Sequence, residues 1–335
     1  MRAMILKQTG SLGERPEPLE LVELRRPEPG PGEVLIEVAA CGVCHTELDE
    51  IEGRTAPPEL PVVPGHEIVG VVVERGPGAE RHSIGGRVGV GWIHSSDGSE
   101  TENLSDAFVA TGRDVNGGYA EYVTVPEGYA YEIPERFGDA EAAPLLCAGA
   151  IGYRSLRLAG LENGQAVGLT GFGASGHLVL QLARHLYPAS EVYVFARDPD
   201  AREFARELGA AWAGATEDRA PERLQAVIDT TPAWKPVVEA LANLAPGGRL
   251  VINAIRKEAG DQDYLQRLVY HEHLWMEREI KSVANITGRD IREFLPIAAE
   301  IPIETTVETY PLEEANRALR ELRAGGARGA KVLLP

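Results

Sequence analysis

The sequence predicts an α/β chain in which a β-rich first half is followed by a doubly wound parallel sheet, and three observations carry that expectation. Short β-branched runs separated by Pro and Gly fill the chain up to about residue 150. From Leu161 onward, strands and helices alternate, which is the rhythm of a parallel sheet with helices on its faces. Between the first of those strands and its helix stands Gly171-Phe-Gly-Ala-Ser-Gly176, a glycine turn in the setting that a dinucleotide fingerprint requires.

Taken in order, residues 1–7, 34–39, 68–73, 87–91 and 117–125 read as strands, with turn clusters at 27–32 and at Gly85-Gly86. In the second half, 165–170, 191–196, 226–230 and 249–254 read as strands. Residues 177–186 show helical spacing through Leu178, Val179, Leu182 and Leu186, and 200–208 and 235–244 are further helices. Residues 256–270 are polar and carry no clear element. A closing strand over 279–285, amphipathic helices over 290–300 and 312–323, and a terminal strand over 331–334 complete the reading.

Composition bounds the function. At 335 residues the chain is long enough for two cores, and 44% hydrophobic with 25% charged residues is a globular balance. A formal charge of −18 argues against nucleic acid, which is bound through clustered cations. There is no run of about 18 apolar residues, and the first residues meet a charge at once and read as a strand, so no membrane partner and a cytoplasmic location are expected. Arginine supplies most of the 33 basic residues. Three cysteines are too few for a disulfide scaffold and suit metal ligation or catalysis better.

The chemistry concentrates in Cys41-Gly-Val-Cys-His-Thr-Glu-Leu-Asp49, followed by Pro64-Gly-His-Glu67 and, much later, Leu145-Leu-Cys-Ala-Gly149. Zinc is commonly held by Cys and His, and a catalytic zinc keeps three protein ligands and one open position. Cys44, His66 and Cys147 would supply those three.

At the glycine turn, Gly171, Gly173 and Gly176 would admit a pyrophosphate close to the backbone at a helix N-terminus. An acid about 20 positions on would bind the ribose 2′-hydroxyl of NAD. Ala196 stands at that place and Arg197 follows, a pair that favours NADP because a guanidinium binds a 2′-phosphate. NAD stays possible if Asp198 reaches the ribose.

A metal motif in a β-rich first half and a nucleotide motif in the second resemble the zinc-containing alcohol dehydrogenases of the medium-chain dehydrogenase/reductase superfamily. The resemblance spans nearly the whole chain and is most specific at Gly42-Val-Cys-His-Thr-Glu-Leu48, Gly65-His-Glu67, Gly117-Gly-Tyr-Ala-Glu-Tyr122, Leu146-Cys-Ala-Gly149 and the glycine turn. It implies a GroES-like catalytic domain over 1–149, completed by 288–335, and a Rossmann domain over 150–287. It makes Cys44 rather than Cys41 the first zinc ligand, His45 a pyrophosphate contact and Thr46 the hydroxyl that takes the alcohol's proton. Glu67 becomes an acid that can approach the metal, and Trp92 a wall of the substrate pocket. The activity implied is hydride transfer between a small alcohol and NAD(P), in a homodimer or homotetramer.

The chain also departs from the family pattern. Residues 93–112 hold no cysteine, so one catalytic zinc and no structural zinc are expected. Glu47 replaces the usual Asp that orients the zinc-binding histidine, and Asp49 stands where the proton relay often ends in a histidine. Ala330 replaces an arginine that helps bind pyrophosphate, with Arg328 as its substitute. Cys41 reads as a small buried thiol, and His271-Glu-His273, spaced for one strand face, as a surface or domain contact. His82, His94, His177 and His185 receive no role, and His177 reads as an exposed first-turn residue. Two other functions fit the same outline: a zinc-independent enone or quinone reductase, and a nucleotide-binding structural or regulatory protein without turnover.

Overall fold

The computed structural model describes residues 1–301, 303–325 and 329–335, so Arg328 lies outside the described residues. The chain divides into two compact units. One comprises Met1–Ala150, Ile286–Glu300 and Glu304–Pro335, and the other Ile151–Asn285 with Ile301–Ile303.

The first unit is built on a seven-stranded sheet among the described residues. Its spine is the eleven-residue strand Glu33–Val43, which pairs antiparallel with Ile68–Arg75 on one side and with Ala330–Leu334 on the other. The terminal strand meets it at Leu333 opposite Cys41, so the C-terminal segment closes the sheet beside the first metal motif. Both faces of this spine are largely covered, which suits its run of Val, Leu, Ile and Ala. Its core gathers Val34, Ile36, Val38, Ile68, Val72, Tyr119, Tyr310 and Leu333.

The second unit is a six-stranded, all-parallel sheet among the described residues. Across it the strands run Trp212–Gly214, Val192–Phe195, Val167–Thr170, Leu224–Asp229, Leu244–Ile252, Glu279–Ser282. In chain order that is 3-2-1-4-5-6, the doubly wound Rossmann arrangement, and ligands of such sheets bind at the carboxyl ends where the order reverses. Here the reversal falls between Val167–Thr170 and Leu224–Asp229, and the glycine turn leaves the first of these.

Several elements differ from the sequence reading. The helix after the glycine turn begins at Ala174, three residues earlier than its apolar spacing indicates. The fifth strand begins at Leu244 and passes through the Pro246-Gly-Gly248 turn, where a register shift marks an irregularity. The polar stretch at 256–270 forms a kinked 3₁₀ segment, Ala259–Arg267. His271 and His273 sit on a short helix, Tyr270–His273, rather than on a strand face; His273 is buried and its Nδ1 meets Val269 of its own turn. No helix among the described residues is long and apolar enough to cross a membrane.

Candidate active site

The spine strand ends at Val43, and Cys44 then caps the helix His45–Ile51. Glu47, three residues into that helix, accepts a hydrogen bond from the Cys44 amide at 2.7 Å with one carboxylate oxygen. Its other oxygen lies 2.5 Å from Nδ1 of His66. A single buried carboxylate therefore ties two of the expected ligands together. Carboxylates behind a ligating histidine fix its ring orientation, and Glu47, the residue in place of the family's usual Asp, lies in that position toward His66.

His66 reaches this place through a tight turn. Gly65 has φ +101°, and a Cβ there would meet the Tyr119 ring at 2.4 Å and Cys41 Sγ at 2.9 Å. Glycine removes both obstacles. Glu67 follows, turned against the spine: a Cβ on Gly42 would fall 1.8 Å from its Oε2. Cys147 follows the 3₁₀ turn Ala143–Leu146, and its Sγ lies 3.9 Å from Cys44 Sγ.

The ligand atoms of Cys44, His66, Glu67 and Cys147 all lie within 4.8 Å of one another. His66 is buried, yet neither ring nitrogen has a well-aligned hydrogen bond, a costly arrangement unless a further group satisfies it. The Cys147 thiol, bonded to Cys44 Sγ, holds the Cys44 pKa well below the ordinary thiol range, with His66 adding to the effect. The same bond to Cys44, followed by burial, pushes the Cys147 thiol up. Burial lowers the His66 pKa, but the Glu47 carboxylate and Cys44 outweigh it and raise the value well above normal. Burial, reinforced by Cys44, raises Glu67. Two sulfurs at about 2.3 Å from a tetrahedral zinc would stand roughly 3.8 Å apart, so this donor set fits zinc in both chemistry and spacing.

Around these ligands, Thr46 is buried with its Oγ1 3.7 Å from Cys44 Sγ, while His45 is exposed. Asp49 is buried on the same helix and accepts a 2.6 Å hydrogen bond from Arg54 Nε. The Trp92 ring stands 6.1 Å from that of His66 and makes an edge contact with Phe108 at 5.6 Å. Cys41 lies fully inside the core and outside the ligand group; burial, then Glu47, raises its pKa.

Sequence reasoning passed over Phe108, over Arg113, whose guanidinium lies 5.6 Å from the Trp92 ring, and over Glu50. Glu50 is buried with neither carboxylate oxygen hydrogen-bonded, and burial followed by Glu47 raises its pKa. No pattern in the sequence marks these three, because the loops and helix that carry them have no periodic apolar face. Where zinc-binding cysteines are absent, Glu102 stands buried between Ser96 and Gly288. It accepts from Tyr129 Oη at 2.9 Å and from the Gly288 amide at 2.6 Å.

In the second unit, the Gly171 amide donates to Phe195 O at 2.9 Å, and its φ of +80° makes the turn that launches the Ala174–Leu186 helix. Gly173 has open space where a Cβ would stand, and a Cβ on Gly176 would meet Gly171 O at 2.7 Å. A bare turn below a helix N-terminus suits a pyrophosphate. His177 is buried rather than exposed, because its Nδ1 turns back to Gly173 O at 3.0 Å. Arg197 is exposed, and Asp198 caps the helix Pro199–Glu207 by accepting from the Asp200 amide at 3.0 Å.

A β-rich unit carrying a thiolate–imidazole donor set, in one chain with a Rossmann sheet and a dinucleotide turn, defines a nucleotide-binding dehydrogenase. The comparisons specify which kind. Residues 30–135 match the alcohol dehydrogenase GroES-like domain. The chain is 43% identical over 329 residues to a probable alcohol dehydrogenase of Mycobacterium tuberculosis, covering 95% of this chain and 93% of the relative. It is 32% identical to an alcohol dehydrogenase of Geobacillus stearothermophilus, covering 95% and 96%. Among solved structures it superposes on a cobalt- and zinc-bound thermostable alcohol dehydrogenase from Pyrobaculum aerophilum with a TM-score of 0.85 and 26% identity, covering 100% of this chain and 99% of that one. The chain belongs to the alcohol dehydrogenases of the medium-chain dehydrogenase/reductase superfamily.

Proposed function

We propose that this alcohol dehydrogenase is zinc-dependent, holds one catalytic zinc per chain on Cys44, His66 and Cys147, and prefers NADP to NAD. The observation that carries the reading is the donor set itself, two sulfurs 3.9 Å apart beside a buried histidine without well-aligned hydrogen bonds. When bound, zinc supplies Lewis acidity toward the alcohol oxygen, and the nicotinamide supplies the hydride chemistry. The chain's residues do the rest.

Glu47 orients His66, and Glu67 waits as a fourth donor, a carboxylate able to approach the metal. Thr46 Oγ1 receives the hydroxyl proton, and Asp49 closes the outward end of that path with its carboxylate held by Arg54. Trp92 and Phe108 offer an apolar wall for a modest alcohol or aldehyde. Gly171, Gly173 and Gly176 admit the pyrophosphate, and Arg197 meets the 2′-phosphate. The same reading takes the protein as a cytoplasmic homodimer or homotetramer, without structural zinc because residues 93–112 offer no thiolate.

Elemental analysis of the purified protein, followed by oxidation of a short alcohol panel with each nucleotide, tests this directly. One zinc per chain and NADP-linked turnover are expected, and Cys147→Ser should lose metal and activity together. A metal-free preparation active only on enones would instead support the zinc-independent reductase, and full zinc content in active Cys147→Ser would remove Cys147 from the site.

A further inference from the structure

The end of the strand Val192–Phe195 carries a second guanidinium that sequence spacing does not reveal. Arg202, on the first turns of the helix Pro199–Glu207, donates from Nη1 to Ala196 O at 2.8 Å and to Arg197 O at 2.9 Å. Those are the carbonyls of the two residues that stand where a ribose-binding acid was expected. The anchoring uses one nitrogen: Nε and Nη2 of Arg202 make no hydrogen bond among the described residues, and no carboxylate lies within ion-pair distance of Arg202 or Arg197 there. Asp198, the nearest acid in sequence, is occupied as a helix cap.

Two further contacts place this guanidinium beside the glycine turn. The Gly171 amide is bonded to Phe195 O, one residue before Ala196. Phe204, two residues beyond Arg202, takes the Phe172 ring edge-on at 5.6 Å and the His177 ring at 6.2 Å. The helix bearing Arg202 is thus packed onto the turn expected to hold the pyrophosphate. A nucleotide whose pyrophosphate lies on that turn brings its adenosine ribose to the strand end, as in doubly wound dinucleotide folds.

We propose that Arg202 is the specificity-determining residue for a 2′-phosphorylated nucleotide, its guanidinium held by the strand-end carbonyls so that Nε and Nη2 face the 2′-phosphate while exposed Arg197 closes over it. This rests on the NADP preference proposed above. A guanidinium already fixed by two carbonyls loses little freedom on binding and presents donors in the planar geometry a phosphate accepts. Arg197, exposed and without comparable bonds, pays more in ordering and contributes less.

Fluorescence titration of the zinc-loaded protein with NADPH and with NADH, without alcohol, tests this apart from turnover. Wild-type protein should bind NADPH more tightly. Arg202→Gln should weaken NADPH about ten- to a hundredfold and leave NADH within about twofold, the scale of one lost charge-assisted hydrogen bond. Arg202→Lys should recover part of the loss, and Arg197→Gln should cost less than Arg202→Gln. Equal weakening of both nucleotides by Arg202→Gln, or a melting temperature lowered together with NADH affinity, would make Arg202 a brace for the strand end and overturn the proposal. A wild-type preference for NADPH that survives Arg202→Gln would overturn the assignment while leaving the cofactor reading intact. No preference in the wild type would remove both.

Discussion

In the proposed function, two side chains on one short helix separate metal binding from proton transfer. Glu47 touches both the Cys44 amide and the His66 ring, so Glu47→Ala should lower zinc affinity about 10–100-fold, measured by competition with a chelator. Thr46 meets the thiol of Cys44, its Oγ1 3.7 Å from Sγ. Thr46→Ala should keep the zinc and slow turnover by about 10²–10⁴. Equal zinc affinity in Glu47→Ala, or full turnover in Thr46→Ala, would count against the respective role. At this scale the sequence was readable where covalent identity decides: the two thiols, the imidazole and the glycines stand out by type. It was not readable where a side chain's direction decides. Nothing in the spacing indicates that His177 folds back onto Gly173, that Asp49 meets Arg54, or that Glu50 is buried.

At the scale of elements, strands whose apolar residues cluster were visible, and helices that bury polar residues were not. His45–Ile51 has Thr46, Glu47, Asp49 and Glu50 all buried, so it shows no apolar stripe to detect. Ala148–Ala159, to which the sequence reading assigned no element, is a helix in which a Cβ on Gly152 would stand 2.7 Å from Val179, so that glycine allows close packing. The parallel strands carry a polar lock of the same hidden kind. Asp229, fully buried at the end of Leu224–Asp229, accepts from Thr170 Oγ1 at 2.5 Å and from Thr231 Oγ1 at 2.8 Å and is paired with Lys257. Lys257 also donates to Thr231 O at 2.6 Å. This network joins the first and fourth strands of the Rossmann order at the switch point. Removing one member of a buried pair strands the other charge, so Lys257→Met should cost about 3–5 kcal/mol in denaturant unfolding of this unit. Pairing it with Asp229→Asn should recover part of the loss. A cost under about 1 kcal/mol, the scale of an exposed pair, would mean that the lock is solvated in solution.

For the whole molecule, the two units have separate cores, and each carries its own ligand chemistry: thiolates and imidazole in the first, the glycine turn in the second. A ligand stabilises the state that binds it by RT ln(1 + [L]/Kd), about 2.7 kcal/mol at a hundredfold excess over Kd, which slows exchange through that unit's opening by roughly a hundredfold. Metal and nucleotide should therefore leave different footprints in hydrogen exchange. Chelation of zinc should speed exchange around Val43–Ile51, Gly65–Glu67 and Leu145–Ala148, leaving the parallel strands near their starting rates. NADPH should slow exchange in Val167–Thr170, in the Ala174–Leu186 helix and at the end of Val192–Phe195, whether or not zinc is present. The contrast follows from the contact pattern. Backbone hydrogen bonds of the expected metal-ligand residues run to Glu47 and Pro144, both in the first unit, while the Gly171 amide of the glycine turn bonds Phe195 in the second. If chelation loosened both units equally, the chain would open as one cooperative body, and the zinc ligands would then support the nucleotide fold through stability rather than through chemistry alone.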